Sequence, residues 1–296
     1  MNDKISVTVG ICAYNEESNI GRSVMSAIDQ RLNGFELSKV IVVSSNSTDM
    51  TDDIVRGLMV DNPSLALICQ DKREGKNSAI NCLLDNKDTE ILVLLNADNA
   101  FRDETCLQKL LEPFSDPKVG IVGGRPIPVN DEKSIAGFAS HMIWTMHHHI
   151  SLVYPKIGEI IAFRDLSIRL PKGTQSDEDI LKMEIERKGY ISVYSPDAVV
   201  FNRGPDTVRD FLKQRTRVNI GECYIEKDHN YEIPTRNMHH LYPALVCTVK
   251  DMGFHPVKYS LSMMLELYAK LRAKMHVVMD EGDLNVWDPV KTTKKL

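Results

Sequence analysis

The stretch Ile91-Leu92-Val93-Leu94-Leu95-Asn96-Ala97-Asp98 decides the fold class of this chain. Its first five residues are apolar without alternation, which predicts a β-strand that is covered on both faces, as in a parallel sheet. A polar turn follows at once. Because ligands of such sheets bind at the carboxyl ends of the strands, we expect Asp98 to lie at the ligand-binding edge.

Apolar runs and helical patterns alternate on the amino-terminal side of this strand. Three further strands are predicted at residues 5–12, 40–43 and 65–69. The β-α-β-α order predicts an α/β fold, a Rossmann-like and mostly parallel sheet flanked by helices. Polar residues follow the first two strands at 13–16 and 44–49. We expect them to meet Asp98 around a bound nucleotide.

The regular alternation ends near residue 125. Beyond it we predict an irregular stretch at 126–175, a helix at 177–188, a strand at 191–194, a helix at 207–217 and a largely helical remainder.

Composition narrows the class of protein. With 43% hydrophobic and 26% charged residues, the 296-residue chain is typical of globular proteins with a sizeable core. A formal net charge of -5 gives no electrostatic footprint for nucleic acid. The six cysteines are scattered without a CxxC pair, and we find neither a signal peptide nor an apolar run near the roughly 20 residues that span a bilayer. We expect a cytoplasmic protein with reduced thiols, soluble or at most peripheral on the membrane.

Asp98 is the first candidate for chemistry. A carboxylate at this edge would face a bound diphosphate. Mg²⁺ and Mn²⁺ take hard oxygen ligands and can bridge a carboxylate to phosphate oxygens. The alternative is an Asx turn that only closes the strand.

A second candidate is the acidic run Asp177-Glu178-Asp179, which follows Ser176 at the start of a predicted helix. Capping accounts for part of it, because Ser176 is a good N-cap and acids in the first turn interact favourably with the helix dipole. Three successive acids exceed what capping needs. Their mutual repulsion can raise the pKa of one of them to suit a general base.

Two further clusters carry weaker signals. The arginines of Gln214-Arg215-Thr216-Arg217 either complement the negative end of a helix dipole or neutralise a departing diphosphate. The run His147-His148-His149 lies in an apolar and aromatic context. Adjacent histidines point in different directions on a helix or a strand, so we do not expect the three to bind one metal ion.

The order of these segments resembles that of family 2 glycosyltransferases with the GT-A fold. The similarity runs over roughly residues 5–222. Its segments are 7–17 with the AYNE loop, 42–51 (VVDDGSTDGT), 75–81 (GKxxALN), 96–98 (DxD), 158–164 (GxxxAFR), 178–179 with 189–190 (ED…GY) and 214–217 (QxxRW).

The resemblance implies a metal-dependent, inverting glycosyltransferase that moves a sugar from a UDP- or GDP-sugar to an acceptor hydroxyl. The acceptor would be a glycan, a lipid-linked molecule or a small molecule. The implied GT-A catalytic domain spans residues 1–225, with a donor half at 1–125 and an acceptor half at 126–225. Residues 226–296 would form a helical C-terminal extension.

The motifs also imply roles for single residues. Asp98 would bind the metal, Mg²⁺ or Mn²⁺, and Asp179 would be the catalytic base. The donor would contact Ala13, Tyr14, Asn15, Glu16, Ser45, Lys76, Asn96 and Asp98. The diphosphate and the acceptor would contact Arg164, Glu178, Gln214 and Arg217.

Three departures from the family pattern limit what it implies. Ser45 stands where an aspartate usually contacts the base, so uracil is not assumed. Asn96 replaces the first carboxylate of DxD. Val218 replaces the tryptophan of QxxRW, a motif tied to processive synthesis, and the membrane helices of processive synthases are missing. We therefore expect single sugar addition.

Other classes of protein share parts of this pattern. A sugar-phosphate nucleotidyltransferase uses a similar sheet, but its glycine- and arginine-rich N-terminal loop is missing here. A non-catalytic nucleotide-binding protein on the same fold is the alternative that Asn96 and Val218 leave open. A Rossmann dehydrogenase is disfavoured because no GxGxxG follows the first strand.

Residues 257–279 form a predicted helix that mixes apolar and basic residues. Its apolar residues at helical spacing are Leu261, Met264, Leu265, Tyr268, Leu271 and Met275. One interpretation packs them on the catalytic domain or on a second subunit, as in a homodimer. The other rests the helix weakly on the cytoplasmic membrane face, near a lipid-linked acceptor. The acidic residues at 280–283 argue against tight binding to anionic lipid.

Overall fold

The computed structural model describes residues 4–171, 176–229, 231, 233, 235, 237–279, 291–294 and 296. In this part of the chain, helices flank one eight-stranded sheet. The strands are β1 (Ile5–Ala13), β2 (Phe35–Ser44), β3 (Leu65–Cys69), β4 (Ile91–Asn96), β5 (Ala100–Phe101), β6 (Val119–Pro128), β7 (Ile160–Arg164) and β8 (Ile191–Asn202). The helices are α1 (Ile20–Ile28), α2 (Thr51–Met59), α3 (Lys76–Asn86), α4 (Cys106–Leu111), α5 (Ile135–Ser151), α6 (Asp177–Arg187), α7 (Val208–His229), α8 (Met238–Met252) and α9 (Pro256–Met279).

The sheet brings the polar ends of three strands to one edge. The strand order is β3-β2-β1-β4-β7-β6-β8-β5, and β3, β2, β1 and β4 are parallel. β7 runs antiparallel to β4 and β6, and β5 runs antiparallel to β8. Ala13 at the end of β1 pairs with Ser44 of β2, and Cys12 pairs with Asn96 of β4. The loops after β1, β2 and β4 therefore meet, as the sequence predicts.

β4 is covered on both faces, as its unbroken apolar run predicts. Ile91, Val93 and Leu95 pack into a hydrophobic cluster that includes residues of α1 and α4. Leu92 and Leu94 pack into a second cluster, formed with residues of α3 and α6. Because β4 is fixed from both sides, the turn that follows it has a firm base.

Residues 126–175 are more regular than predicted, because they contain α5 and β7. Ser134 caps α5, and its side chain accepts a hydrogen bond from the backbone N–H of Gly137. The helix contacts α7, α8 and α9. Its apolar residues consequently lie on several sides, which hides the one-sided pattern by which a surface helix is recognised. β8 and α7 also continue well past their predicted ends at 194 and 217.

α9 packs on α7, but not by the predicted residues. Its buried residues are Tyr259, Ser262, Ala269 and Ala273. Of the predicted contacts, only Leu265 packs into the interior, beside Phe211 of α7. The other five are exposed: Leu261, Met264, Tyr268, Leu271 and Met275. Small residues allow the two helices to approach closely, which leaves the large apolar side chains on the outside.

α7 runs through residue 225, so the predicted boundary between catalytic domain and extension falls inside a helix. The division of the chain at that residue stays a prediction. Within the part of the chain that the structure describes, we find no helix long and apolar enough to cross a membrane.

Candidate active site

A cavity of about 1000 Å³ opens where the loops after β1, β2 and β4 meet. Its walls continue past the start of α6 and along α7 to α5, α8 and α9. Most residues predicted for the site line it: Ala13, Tyr14, Glu16, Ser45, Lys76, Asn96, Asp98, Glu178, Asp179, Gln214 and Arg217. The cavity has the volume of a small-molecule site.

The loop after β1 is held by hydrogen bonds to the loop after β2. Asn15 has a φ of 53°, and its Oδ1 accepts a hydrogen bond from Thr48 N over 2.7 Å. Glu16 N donates to Thr51 Oγ1 over 2.7 Å. Asn15 therefore braces the loop and, unlike Tyr14 and Glu16, does not line the cavity. Its predicted contact with a nucleotide is corrected to this indirect role.

Two cations contact Tyr14. The guanidinium of Arg73 lies 4.0 Å from the ring centroid, and the ammonium of Lys294 lies 5.8 Å from it. Lys294 also donates to the carbonyls of Tyr14 and Asn15, each over 2.6 Å, and pairs with Glu16 Oε1 at 2.8 Å. Sequence reasoning missed Lys294 because 280 residues separate it from Tyr14.

Ser45 is buried and held by α3. Its Oγ donates to Gln70 Oε1 over 2.9 Å, and Gln70 Nε2 donates to Ser78 Oγ over 3.1 Å. The wall of the cavity at the end of β2 is thus a neutral hydroxyl in a hydrogen-bonded chain, without a carboxylate.

Lys76 joins the start of α3 to the start of α6. Gly75 precedes it with a φ of 89°, a conformation that favours glycine. Lys76 Nζ lies 2.8 Å from both Asp177 Oδ2 and Glu178 Oε1. Burial acts to lower the pKa of Lys76, but these two carboxylates outweigh it and raise that pKa well above its ordinary value. Lys76 is therefore a permanent cation in the cavity wall.

Ser176 does not cap α6 as predicted, because its φ of 70° is left-handed and its side chain makes no capping hydrogen bond within the described part of the chain. The acids after it face different partners. Burial, and then the neighbouring Glu178, raises the pKa of Asp177 to about 6. Capping by Ser176 therefore does not explain the acidic run.

Asp179 lies on the other side of the α6 start, in a buried ion network. Lys156 Nζ donates to both Asp179 oxygens over 3.1 Å and to Glu222 Oε1 of α7 over 3.4 Å. The side chains of Lys156, Asp179 and Glu222 are 8%, 8% and 6% exposed. Burial raises the pKa of Asp179, although Lys156 opposes the rise. The network orients Asp179 at the cavity wall.

Asp98 lies near a second carboxylate, that of Glu159 in the turn before β7. Glu159 Oε2 accepts hydrogen bonds from Asn96 Nδ2 over 2.6 Å and from Asn99 Nδ2 over 3.1 Å. Burial, and then repulsion from Glu159 and Glu16, raises the pKa of Asp98 to about 7. The three acids therefore form a strongly negative patch at the end of β4.

The oxygens at this patch fit a divalent cation. Asn99 is buried, and its Oδ1 has no hydrogen-bond partner in the described part of the chain. Carboxylate and amide oxygens are ligands that Mg²⁺ and Mn²⁺ prefer. Among the described residues, no group of three or more His, Cys, Asp or Glu forms a ready metal site. The protein would thus supply part of a coordination shell that phosphate and water complete, as is usual for Mg²⁺.

Gln214 and Arg217 of α7 line the cavity, as predicted. Arg215, between them, instead forms a bidentate ion pair with Glu266 of α9, with N–O distances of 2.8 and 2.9 Å. Burial acts to raise the pKa of Glu266, but Arg215 holds it at about 2. This pair fixes α9 against α7 and so shapes the far wall of the cavity.

Arg164 lies at the opposite edge of the sheet, so its predicted contact with diphosphate or acceptor is wrong. It pairs with Ile91, the first residue of β4. Its guanidinium donates to the carbonyls of Val119 and Phe114 over 2.9 and 2.8 Å. Because β7 runs antiparallel to β4, the end of β7 lies away from the carboxyl edge.

The three adjacent histidines of α5 face different surroundings. His147 is buried at the cavity wall, and burial lowers its pKa to about 3. His148 Nδ1 lies 2.9 Å from Tyr194 Oη, and His149 Nε2 lies 2.8 Å from Asp251 Oδ2. They do not converge on one point.

Sequence reasoning also missed Lys156, Glu159 and Glu222. Glu159 carried one usable signal, since it lies in segment 158–164, which carries part of the family resemblance. Lys156 and Glu222 carried none, because their partners lie 23 and 66 residues apart along the chain.

Comparison with known proteins agrees with this geometry. A model of glycosyl transferase family 2 matches residues 8–174. The probable glycosyltransferase YdaM of Bacillus subtilis (strain 168) is 24% identical over 240 residues, which cover 76% of this chain and 57% of that protein. The match thus spans little more than half the length of this relative.

Solved structures share the fold. The mannosyltransferase PcManGT from Pyrobaculum calidifontis, in complex with GDP-Man and Mn²⁺, superposes with a TM-score of 0.68 at 20% identity, covering 95% of this chain and 89% of that chain. Residues 1–349 of S. aureus TarS, in complex with UDP-GlcNAc, superpose with a TM-score of 0.53 at 13% identity, covering 93% and 92%. These likenesses confirm the predicted GT-A fold.

Proposed function

The chain belongs to glycosyl transferase family 2, and we propose that it is an inverting, metal-dependent enzyme that adds a single sugar from a UDP- or GDP-sugar to an acceptor hydroxyl. One observation carries the proposal. A single cavity brings together the negative patch at Asp98, the cation Lys76, the carboxylate of Asp179 and the guanidinium of Arg217. These are the charges that binding a diphosphate and deprotonating a hydroxyl require.

In this proposal the donor lies along the carboxyl edge of the sheet. Tyr14 and Ser45 would frame the base and ribose, where Ser45 offers a hydroxyl and accommodates either uracil or guanine. Asp98 would hold Mg²⁺ or Mn²⁺, which stabilises a leaving diphosphate as a Lewis acid. Lys76 and Arg217 would bring fixed positive charge to the same phosphates. The GDP-Man and Mn²⁺ bound to PcManGT support this assignment.

The acceptor would attack from the side of α6. Asp179 would take the proton of the acceptor hydroxyl as the hydroxyl oxygen attacks the anomeric carbon on the face opposite the diphosphate. Attack from that face inverts the configuration. Burial raises the pKa of Asp179, which makes it a stronger base than an exposed aspartate. Lys156 would hold the carboxylate in position.

Nucleotide binding should require a divalent metal. We expect UDP or GDP to raise the melting temperature with Mn²⁺ or Mg²⁺, since a ligand at about 100 times its Kd stabilises a protein by about 2.7 kcal/mol. ADP with the same metals is the control. Equal affinity for UDP or GDP with and without metal, measured by calorimetry, would contradict the proposal. Incubation with a nucleoside triphosphate and a sugar phosphate tests the nucleotidyltransferase alternative.

The far end of the cavity supports an acceptor with an apolar chain. Its wall there consists largely of apolar side chains from α5, α8 and α9. They are Trp144, Met146, Met238, Leu241, Tyr242, Leu245, Met263, Met264 and Leu267. Met264 and Leu267 are 65% and 58% exposed, so this wall continues onto the outer surface. We propose a lipid-linked acceptor, whose chain would lie on this wall while its polar end reaches Asp179.

The same surface predicts weak contact with membranes. We expect the protein to float with anionic liposomes at low salt and to dissociate at moderate salt, because lysines and an arginine accompany the apolar residues of α9. Met264→Glu combined with Leu267→Glu should abolish flotation. Phe254→Glu, at an exposed apolar residue outside the cavity wall, is the matched control. Absence of flotation at low salt, with a dimer by light scattering, would assign this surface to a second subunit instead.

A further inference from the structure

We propose that Glu159 is the second carboxylate of the metal site, so that Glu159 and Asp98 together hold the divalent cation while Asn96 positions Glu159. The inference rests on the proposed function and deepens it, because the motif resemblance gives the metal to Asp98 alone. It concerns a residue that sequence reasoning did not single out.

The orientation of Glu159 is fixed by its surroundings. Both amides, of Asn96 and Asn99, donate to the same oxygen, Oε2. Asn99 Nδ2 also lies 3.3 Å from the Glu159 carbonyl. Its φ of 36° is in the left-handed region, which a residue other than glycine adopts only when its surroundings impose it. Within the described residues nothing donates to the second oxygen, Oε1, which leaves that oxygen for a ligand.

The charges around Glu159 call for a cation. Glu159 is close enough to Asp98 to disfavour its ionisation. Lys76 is the cation that acts on Asp98, but its ammonium is bound to Asp177 and Glu178. No ion pair to Glu159 occurs in the part of the chain that the structure describes. A divalent cation between the two carboxylates would remove their repulsion.

A separate observation points to the same ligand. Asn99 Oδ1 lines this cavity without a hydrogen-bond partner among the described residues, although Asn99 is only 1% exposed. Buried polar atoms are normally paired, so an unpaired oxygen beside two carboxylates is explained by a bound cation or its water. The three residues provide hard oxygens alone, which is the donor set of Mg²⁺ and Mn²⁺.

The same geometry explains the asparagine at position 96. An aspartate there would bring an oxygen within about 2.6 Å of Glu159 Oε2, the distance that now separates Asn96 Nδ2 from it. The amide donates to Glu159 where a carboxylate would repel it. The carboxylate expected at position 96 is therefore supplied from position 159, and the two residues should be able to exchange roles.

The test measures Mn²⁺ binding directly, by electron paramagnetic resonance of the free ion in the presence of GDP or UDP. Glu159→Gln should weaken Mn²⁺ binding by about 10–100-fold, the usual effect of disturbing a metal ligand or its support. Asn96→Asp alone should also weaken it, because two carboxylates then face each other across 2.6 Å. The double variant Asn96→Asp with Glu159→Gln should recover most of the affinity. Glu36→Gln, on the exposed far end of β2, is the matched control and should bind like the unaltered protein.

Two results would overturn the inference. One is unchanged Mn²⁺ affinity in Glu159→Gln, and the other is a double variant that binds no better than Glu159→Gln. Should Glu159→Gln fail to fold, Asn99→Ala gives a second measurement, because it removes the unpaired oxygen and should also weaken Mn²⁺ binding. If the unaltered protein binds nucleotide without any need for metal, the proposed function fails together with the inference. Metal-dependent binding with insensitive variants refutes the inference alone.

Discussion

Asp98→Ala should abolish metal-dependent nucleotide binding and leave the protein folded. Asp98 follows the most rigid strand of the sheet and lies beside Glu159 and Glu16 in the cavity. Loss of this carboxylate should lower Mn²⁺ affinity by on the order of 100-fold. Without metal, the melting temperature should not fall, because burial and repulsion already oppose ionisation of Asp98 and hold its pKa at about 7.

Calorimetry with GDP or UDP, with and without Mn²⁺, measures this effect. Asp61→Ala, at an exposed aspartate far from the cavity wall, is the matched control and should leave binding unchanged. Asn96→Ala should weaken binding only in part, because it removes a donor to Glu159 while Asp98 stays in place. If Asp98→Ala retained full metal-dependent affinity, the metal would have to bind elsewhere and Asp98 would be only a turn residue.

Asp179→Asn should preserve donor binding and lose about 10²–10⁴-fold in turnover, the contribution typical of a general base. The amide keeps the shape of the side chain but cannot take a proton. A residue that only stabilises the start of α6 would behave differently. Its loss would reduce stability by about 1 kcal/mol and leave turnover per folded molecule near normal.

Melting temperature and turnover must be measured together, because Asp179 also pairs with the buried Lys156. Some loss of stability is expected, since the ammonium would keep only Glu222 as a charged partner. Glu178→Gln and Asp177→Asn are the comparison variants, as both residues bind Lys76 at the same end of α6. A larger loss of turnover in either of them than in Asp179→Asn would transfer the role of base to that residue.

The donor side of the site could be predicted because the parallel strands determine it. Once β1, β2 and β4 are recognised as parallel neighbours, the residues that follow them must meet at one edge. Tyr14, Ser45 and Asp98 were found in this way, and the structure brings all three to the cavity wall. Periodicity in short apolar runs sufficed for that half of the fold.

The acceptor side depends on contacts that no local pattern encodes. β7 runs antiparallel to β4, which reverses the edge that each of its ends occupies. Arg164 was therefore assigned to the wrong edge, while Glu159 at the other end of β7 was overlooked. The network of Lys156, Asp179 and Glu222 joins α6 and α7 through a buried ammonium, and a sequence does not reveal which charges will be buried together.

The contact between Lys294 and the loop after β1 has a practical consequence for purification and assay. Lys294 and Leu296 both bind this loop or the start of α1, through Tyr14, Glu16 and Asn19. An affinity tag fused after Leu296 would therefore emerge beside the nucleotide cavity, and its histidines would offer competing ligands for Mn²⁺. A tag placed ahead of β1 would emerge at the opposite edge of the sheet, where β1 begins beside Phe35. Kinetic measurements should use the second arrangement.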